Sequence, residues 1–273
     1  MEPDAALTIA IYMCIGFATL CWLLSVITKE YSWVDRLWSI TPVVYLGWFA
    51  FVAHPHPRLL LMAALVALWG GRLTYNFARK GGYAPGGEDY RWAKVRKRMP
   101  PALFAVFNVV FVAGYQHTLL LLISLPGWVV MNQPARPLGL LDAIAGGGFL
   151  CFWLGETIAD EQQWRFQTDK QRRKKAGLPI EHQFLTTGLF RWSRHPNFFC
   201  EQAMWWCIYL FGVAAGAAWF NWSIAGAALL TALFQGSTRL TEALTLRKYS
   251  EYAQYQRTTS RLWPRPPVRS SGR

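Results

Sequence analysis

The stretch from Gly188 to Glu201 places charged and polar side chains directly against a long apolar run. It reads GLFRWSRHPNFFCE and contains Arg194, His195, Asn197 and Glu201. Ionisable groups that enter an apolar helix need partners, so a cluster of them indicates a functional site. Asn197 and Glu201 are four residues apart and share one face if the segment after the proline is helical. The amides of a helix start, together with Arg194 and His195, predict a contact with an anionic ligand.

Two further sets of charged residues have helical spacing. Glu156 and Asp160 are four apart, which places two carboxylates on one helix face. Because like charges at that spacing repel, we expect a cation or the hydroxyl groups of a ligand to bridge them. Arg239 and Glu242 are three apart, and Arg247 extends this polar line beyond the last apolar segment.

A polar stripe runs along the end of the third apolar segment. Trp69, Arg72, Asn76 and Arg79 recur at spacings of three and four, and Tyr75 lies beside them. Such a stripe on an otherwise apolar helix must face the interior of a bundle or a wet cavity.

Two loops carry candidate phosphate ligands. The Gly- and Pro-rich residues that follow Lys80 are predicted to end the helix, and Asp89 and Arg91 come next. Backbone amides of such a turn, with arginine, can hold phosphate, whereas the alternative is an ordinary solvated loop. The run KQRRKK, which contains Arg172, is typical either of an anchor to anionic lipid or of a clamp on a phosphorylated ligand.

Acidic and aromatic residues near the second and fourth apolar segments are candidates for acid catalysis. Asp35 begins the second segment, three residues before Trp38, so the two share a face of a helix. The alternative is a carboxylate favoured by the helix dipole beside an interfacial tryptophan. The fourth segment contains Tyr115, Gln116 and His117 in an apolar field, and we expect His117 to be structural.

Composition predicts a membrane protein. Of the 273 residues, 53% are hydrophobic, 16% are charged and 15 are tryptophan, which leaves too little polar surface for a soluble domain of this size. The net charge of +13 comes from basic loops and a basic tail, a pattern that indicates membrane topology and argues against nucleic-acid binding. The five cysteines form no C-x-x-C pair, so neither a metal site nor a disulfide framework is predicted.

Seven segments approach the roughly 20 apolar residues that span a bilayer, and they predict an all-α integral membrane protein. Six or eight spans are the alternatives, because the second segment is short and the last two almost touch. The predicted spans are Ala6–Ile27, Leu37–Ala53, Leu59–Phe77, Leu103–Leu125, Leu138–Ile158, Phe198–Ala218 and Trp219–Leu240.

The basic loops also predict an orientation. They place the N-terminus outside and the C-terminus in the cytoplasm, in a bacterial inner membrane or in the endoplasmic reticulum of a eukaryote. The acidic start MEPDAALT is unlike a signal peptide, so we expect the first segment to be retained. We predict one membrane domain over residues 1–263 and a disordered basic tail over 264–273.

The motifs resemble those of a family of integral-membrane enzymes, the steroid 5α-reductases and their bacterial relatives. Sterol reductases and isoprenylcysteine carboxyl methyltransferases are more distant members. The Arg-His-Pro element is shared between the branches, whereas Asn197, Phe198 and Glu201 are more typical of the 5α-reductases. The resemblance is dense over 188–201 and extends thinly to three other motifs, which are VDRLW at 34–38, GEDYR at 87–91 and TSRLWP at 259–264.

The resemblance implies that NADPH is the cofactor and that the substrate is a lipid enone such as a 3-oxo-Δ4 steroid. Asn197 and Glu201 match an asparagine and a glutamate that contact the cofactor, Asp160 matches an acid before the basic loop, and Arg72 matches an arginine of the third span. The remaining candidate cofactor residues are Asn76, Arg79, Lys80, Asp89, Arg91, Glu156, Arg172, Arg194, His195, Arg239, Glu242 and Arg247.

The implied reaction transfers a hydride to the β-carbon of the enone, while a donor in a dry site polarises the carbonyl oxygen. The mammalian enzymes place a Gln-Glu pair in the second helix, which this sequence lacks, and Asp35 is our substitute for the acid. The donor is then Tyr75 or Tyr115, and the candidate substrate contacts are Trp38, Trp69 and Gln116.

Two other classes of function are weighed against this reductase. A methyltransferase on the same scaffold would bind S-adenosylmethionine and would need no clamp for several phosphates, so the many basic residues favour the reductase. A transporter would place polar residues near the midplane of broken helices, whereas here they cluster at the cytoplasmic ends. No obligate protein partner is predicted.

Overall fold

The structure is a computed structural model that describes residues 1–268. Within this range the chain is helical and contains no strand, which confirms the predicted all-α class. The helices are α1 (Pro3–Thr28), α2 (Trp33–Leu37), α3 (Thr41–Val52), α4 (Pro57–Arg79), α5 (Tyr90–Arg96), α6 (Pro101–Phe107), α7 (Gln116–Ser124), α8 (Pro126–Met131), α9 (Leu140–Lys175), α10 (Pro196–Ala214), α11 (Ile224–Lys248) and α12 (Tyr252–Thr258). A π-helical segment, Asn108–Tyr115, joins α6 to α7, and a 3₁₀ turn, Gly188–Arg191, precedes α10.

Four helical stretches among the described residues are long and apolar enough to cross a membrane. They are α1, α4, the run Pro101–Met131 and α9, and each contains most of a predicted span. These four helices indicate a protein that is embedded in a membrane. The other three predicted spans are largely helical but are not in this set, and residues 215–223, where two of them were predicted to meet, form a loop. Helix α3, with 12 residues, is the shortest of the three. At about 1.5 Å per residue it is roughly 18 Å long, less than the roughly 30 Å of a hydrocarbon core.

The chain divides into two compact units. The first unit comprises Met1–Gly147 and Trp206–Leu229, and the second comprises Gly148–Trp205 and the described part of Leu230–Arg273. Of the predicted disordered tail, residues 264–268 are described, and the backbone amides of Arg265 and Val268 donate hydrogen bonds to Trp192 and Thr258. Residues 269–273 lie outside the described part of the chain.

The first unit contains a buried ion pair between Arg58 and Asp142. Arg58 Nε and Nη2 donate to the two carboxylate oxygens at 2.6 and 2.8 Å, and the amide of Gly139 donates to the same carboxylate at 2.9 Å. Both side chains are almost fully buried. Arg58 therefore packs inside the unit and fixes the start of α4 against the start of α9.

Small residues allow close helix packing in the first unit, as is common in membranes. A Cβ on Gly226 of α11 would lie 2.4 Å from the backbone oxygen of Leu122 in α7. We therefore expect Gly226→Ala to destabilise the protein by about 1–3 kcal/mol, because backbone rather than a flexible side chain would have to move.

Thermal unfolding in detergent measures this effect, and α11 offers a matched control. A Cβ on Gly236 of the same helix would have no neighbouring atom of the described residues within 4 Å, so Gly236→Ala should be neutral or slightly stabilising. Equal losses for both variants would contradict the close helix contact at Gly226.

Candidate functional site

The stretch that precedes α10 is fixed by one glutamine. Gly188 has φ of 62°, a conformation that glycine adopts without strain, and the next amide, of Leu189, donates to Gln162 Oε1 at 3.0 Å. A Cβ on Gly188 would lie 2.5 Å from the amide atoms of Gln162. Helix α10 then begins at Pro196, where a missing N–H is tolerated. The chain thereby enters α10 at a defined angle from α9.

Arg194 and His195 bind a carboxylate of the protein itself. Arg194 Nε and Nη2 donate to Glu242 Oε1 and Oε2 at 2.6 and 3.0 Å, and His195 Nε2 lies 3.1 Å from Oε1. Gln256 Nε2 also donates to Oε2, at 3.0 Å. The remaining guanidinium nitrogen, Nη1, donates to the carbonyl oxygens of Gln256 and Thr259. These contacts hold the start of α10 to α11 and α12, and they give Arg194, His195 and Glu242 a positioning role.

The ion pair at Glu242 makes the stability of the folded protein depend on pH. Burial alone would raise the pKa of Glu242, but hydrogen bonds from His195, Arg194 and Gln256 outweigh it and lower the pKa from 4.5 to about 2. The stabilisation is therefore complete above about pH 4.5, the pKa of the unfolded state, and is lost as pH falls towards about 2.

We expect the free energy of unfolding to fall by about 3 kcal/mol through this carboxyl between pH 5 and pH 2. Unfolding midpoints measured across that range test the expectation. Glu242→Gln removes the titrating group, so its midpoint should vary less with pH than that of the unaltered protein. An identical slope in both proteins would show that other carboxylates control the acid response.

A second polar cluster joins α9 to α10 within the second unit. Asn197 Nδ2 donates to Asp160 Oδ1 at 3.4 Å, and Trp205 Nε1 donates to Glu201 Oε1 at 3.0 Å. Asp160, Glu201 and Glu156 are each buried to 95% or more of their surface. A buried carboxylate accepts hydrogen bonds and needs donors, and here an amide and an indole supply two of them. We call Glu156, Asp160, Asn197 and Glu201 the acceptor face.

Helices α9 and α10 are in contact beside the acceptor face. A Cβ on Gly155 of α9 would lie 2.9 Å from Cys200 Sγ of α10, so the Cys200 side chain packs directly against α9 at this glycine. The spacing of Glu156 with Asp160 and of Asn197 with Glu201 was visible in the sequence. That these two faces meet follows only from the fold.

The other predicted cofactor residues of the second unit lie at its surface. Arg239 and Arg247 are exposed, and Arg172 forms an exposed ion pair with Asp169 at 2.7 Å. Lys170, which the sequence did not single out, donates to the carbonyl oxygen of Gln183 at 2.5 Å and to Tyr249 Oη at 3.1 Å. Lys170 therefore ties α9 to the residue that follows α11.

In the first unit, Asp35 accepts a hydrogen bond from an indole. Trp92 Nε1 of α5 lies 2.8 Å from Asp35 Oδ2. Burial raises the pKa of Asp35, and the hydrogen bonds from Trp92 and Ser32 oppose that rise only in part. The carboxyl thus retains its proton to a higher pH than an exposed aspartate.

The candidate tyrosines occupy separate surroundings. Tyr75 is 66% exposed and lies under the guanidinium of Arg79 at 5.5 Å, while Tyr115 ends the π-helical segment with its ring stacked on Phe111 at 5.3 Å. Within residues 1–268 neither tyrosine hydrogen-bonds to Asp35. Its pairing with one of them stays a prediction.

The candidate substrate contacts are mostly buried within the first unit. Trp69 is fully buried, Gln116 is buried and Trp38 is half-buried. Of the polar stripe on α4, Asn76 is buried and accepts a hydrogen bond from Arg79 Nε at 3.0 Å, Arg72 is half-buried and Lys80 is exposed.

The Gly-rich turn that follows α4 is bound by the segment between α1 and α3. Arg36 Nε donates to the carbonyl oxygen of Gly82 at 3.1 Å and also pairs with Glu30, which in turn accepts from the amide of Gly86 at 2.9 Å. Asp89 caps the start of α5 and pairs with Arg91 at 2.7 Å. The turn amide of Gly86 therefore contacts a carboxylate of the protein.

The fold and the apolar helices define a helical membrane-embedded protein that carries a buried polar cluster. A family model described as Protein of unknown function (DUF1295) matches residues 21–259, so the chain belongs to that family. The chain is also 41% identical over 261 residues to uncharacterized protein C594.04c of Schizosaccharomyces pombe, covering 89% of this chain and 75% of that protein. No solved structure is significantly similar to the chain. The region that the family model matches includes both Asp35 and the acceptor face.

Proposed function

We propose that the protein is an NADPH-dependent reductase of the Δ4 double bond of a 3-oxo-Δ4 steroid or a related lipid enone. One observation carries the proposal: among the residues that resemble the cofactor contacts of 5α-reductases, Asn197 of α10 donates to Asp160 of α9, and the carboxylates of Asp160 and Glu201 are both buried. In this proposal the chain crosses the membrane seven times, with the N-terminus outside and the C-terminus in the cytoplasm.

The chemistry of the second unit fits a dinucleotide. The hydroxyl groups of ribose and the carboxamide of nicotinamide are hydrogen-bond donors, and the carboxylates of the acceptor face are matching acceptors. The phosphate groups require cations, which the exposed side chains of Arg172, Arg239 and Arg247 supply. Because Arg194 and His195 bind Glu242, we assign them to the support of α10 rather than to phosphate.

When bound, NADPH supplies the hydride for the β-carbon of the enone. The protein has to position the enone and stabilise the negative charge that develops on its carbonyl oxygen. Asp35 suits this task because burial keeps it protonated to a higher pH, so that it can donate a hydrogen bond. Tyr75 or Tyr115 would donate a hydrogen bond to the carbonyl oxygen together with Asp35, or would pass the proton of Asp35 to it.

The proposal is tested by following NADPH absorbance with purified protein in lipid and a 3-oxo-Δ4 steroid. We expect NADPH to be consumed and a 5α-reduced ketone to form. The matched control is the same steroid without its Δ4 double bond, which should cause no consumption. Bound S-adenosylmethionine in a protein with no affinity for NADPH would contradict the proposal and favour a methyltransferase.

A further inference from the structure

The loop between α10 and α11, residues 215–223, is held by side-chain hydrogen bonds. Tyr209 Oη donates to the carbonyl oxygen of Trp219 at 2.6 Å. Asn221 Nδ2 donates to the carbonyl oxygen of Ala218 at 2.9 Å, and Ser223 Oγ donates to Asn221 Oδ1 at 2.7 Å. These bonds fix the loop immediately before α11 begins.

The loop nevertheless exposes three large aromatic side chains. Trp219, Phe220 and Trp222 are 62%, 88% and 51% exposed. A soluble surface rarely presents such a group. Tryptophan is enriched at the boundary between headgroups and hydrocarbon, and phenylalanine occurs on the apolar face of segments that lie there.

An apolar groove of about 380 Å³ opens on one side of this loop. Its lining offers no polar surface, because the hydroxyl of Tyr209 is turned towards the loop backbone. This volume is within the range of small-molecule sites. The lining residues are Trp206, Tyr209, Leu210, Trp219, Phe220 and Ile224.

A second cavity, of about 420 Å³, is lined by other residues of the same loop. Its wall is partly polar and includes Asn132, Gln133 and Asn221. The exposed Arg136 lies at its edge, since a Cβ on Gly216 would lie 2.9 Å from Arg136 Nη1. The loop thus separates an apolar groove from a partly polar cavity that has a cation beside it.

Several indole groups lie together at this end of the first unit. Trp128 Nε1 donates to the carbonyl oxygen of Pro3 at 2.8 Å, and Trp48 Nε1 donates to that of Ala6 at 3.0 Å. Both acceptors belong to the first turns of α1, one of the four helices that can cross a membrane. The ring of Trp222 lies 5.5 Å from that of Trp128. A belt of indoles at a helix end is typical of the membrane interface.

We propose that loop 215–223 builds a binding site for a phosphate-bearing membrane lipid. An acyl chain lies in the apolar groove, and the lipid phosphate contacts Arg136 with the amides of Asn132 and Gln133 nearby. The groove offers no polar surface to a headgroup, whereas the second cavity offers the side-chain amides of Asn132 and Gln133 with a cation beside them, so the pair of cavities matches an amphipathic ligand. Arginine is suited to phosphate because its guanidinium presents several donors.

The test uses the full-length protein in nanodiscs of digalactosyldiacylglycerol, a lipid without phosphate, that contain a trace of phosphatidylcholine with a diazirine in its acyl chain. After illumination, mass spectrometry of peptides maps the labelled residues. We expect labelling to concentrate on the groove. Even labelling of all lipid-facing helices, as from bulk lipid only, would overturn the proposal.

Variants separate the two halves of the site. Ile224→Trp fills the groove and should reduce its labelling about tenfold, and Phe220→Ala, at a side chain too exposed to disturb packing, should reduce it several-fold. Leu140→Trp, at a 78% exposed position outside the groove, is the matched control and should change nothing. Normal labelling in both groove variants would exclude the acyl-chain site.

Arg136→Gln tests the phosphate contact. It should reduce labelling by the phosphatidylcholine probe about fivefold to tenfold, because one charge-assisted contact is lost. Labelling by a diazirine diacylglycerol with the same acyl chain, which has no phosphate, should not change. An equal effect on both probes, or on neither, would contradict a role of Arg136 in binding phosphate.

Discussion

Replacing Arg194 by methionine should reduce the free energy of unfolding by about 3–5 kcal/mol, because it leaves the Glu242 carboxylate buried without its main partner. Both side chains are at most 9% exposed, so water can replace little of the lost interaction. The variant also removes the donors to the carbonyl oxygens of Gln256 and Thr259. Chemical or thermal unfolding in detergent measures the loss.

A second Arg–Glu pair provides the control for Arg194. Arg165 and Glu161 form an ion pair of similar length, 2.7 Å, but Arg165 is 78% exposed. Arg165→Met should therefore change stability by about 0–1 kcal/mol. If the two methionine variants were equally stable, the pair at Glu242 would be no more than a surface contact.

Glu201→Gln should weaken the binding of NADPH by about 10-fold to 100-fold, the cost of losing a hydrogen bond to a charged acceptor. The expectation rests on the proposed function. The substitution should disturb the structure little, because the glutamine oxygen can still accept the hydrogen bond that Trp205 Nε1 donates to Glu201 Oε1 at 3.0 Å. Binding is measured by titration of NADPH fluorescence with the purified protein in lipid.

The neighbouring residue on α10 controls for effects on the helix itself. Gln202 is also buried, but it lies on another face of the helix and donates to the carbonyl oxygen of Phe198 at 2.7 Å. Gln202→Ala should leave the affinity for NADPH within about twofold of normal while it lowers stability by about 1 kcal/mol. Equal losses of affinity in both variants would show that α10 responds to any polar change, and that Glu201 has no particular contact.

Local sequence patterns predicted much of the helical structure. The proline at 196 and the glycines after Lys80 predicted where α10 begins and where α4 ends, because their backbone preferences act within a few residues. Spacings of four also predicted that Glu156 and Asp160, and Asn197 and Glu201, share helix faces. Such a spacing describes the faces of a single helix and does not show which other helix that face contacts.

Contacts between segments that are far apart in the sequence cannot be predicted from such local patterns. Arg194 and Glu242 are 48 residues apart, and nothing in either local pattern shows that the arginine meets this carboxylate instead of a ligand. Arg58 and Asp142 are 84 residues apart, and no local pattern links the two side chains. In both cases an opposite charge from another helix decides where the cation lies.

The transfer of deuterium from labelled NADPH to a lipid product tests the reductase proposal most directly. Purified protein in lipid is incubated with a 3-oxo-Δ4 steroid and NADPH deuterated at both C4 positions of the nicotinamide, and the product is analysed by mass spectrometry. We predict a 5α-reduced ketone that carries one deuterium at the former β-carbon, with much less of it from Glu201→Gln. Unchanged steroid in the presence of bound NADPH, or a product that contains no deuterium, would contradict the proposed function.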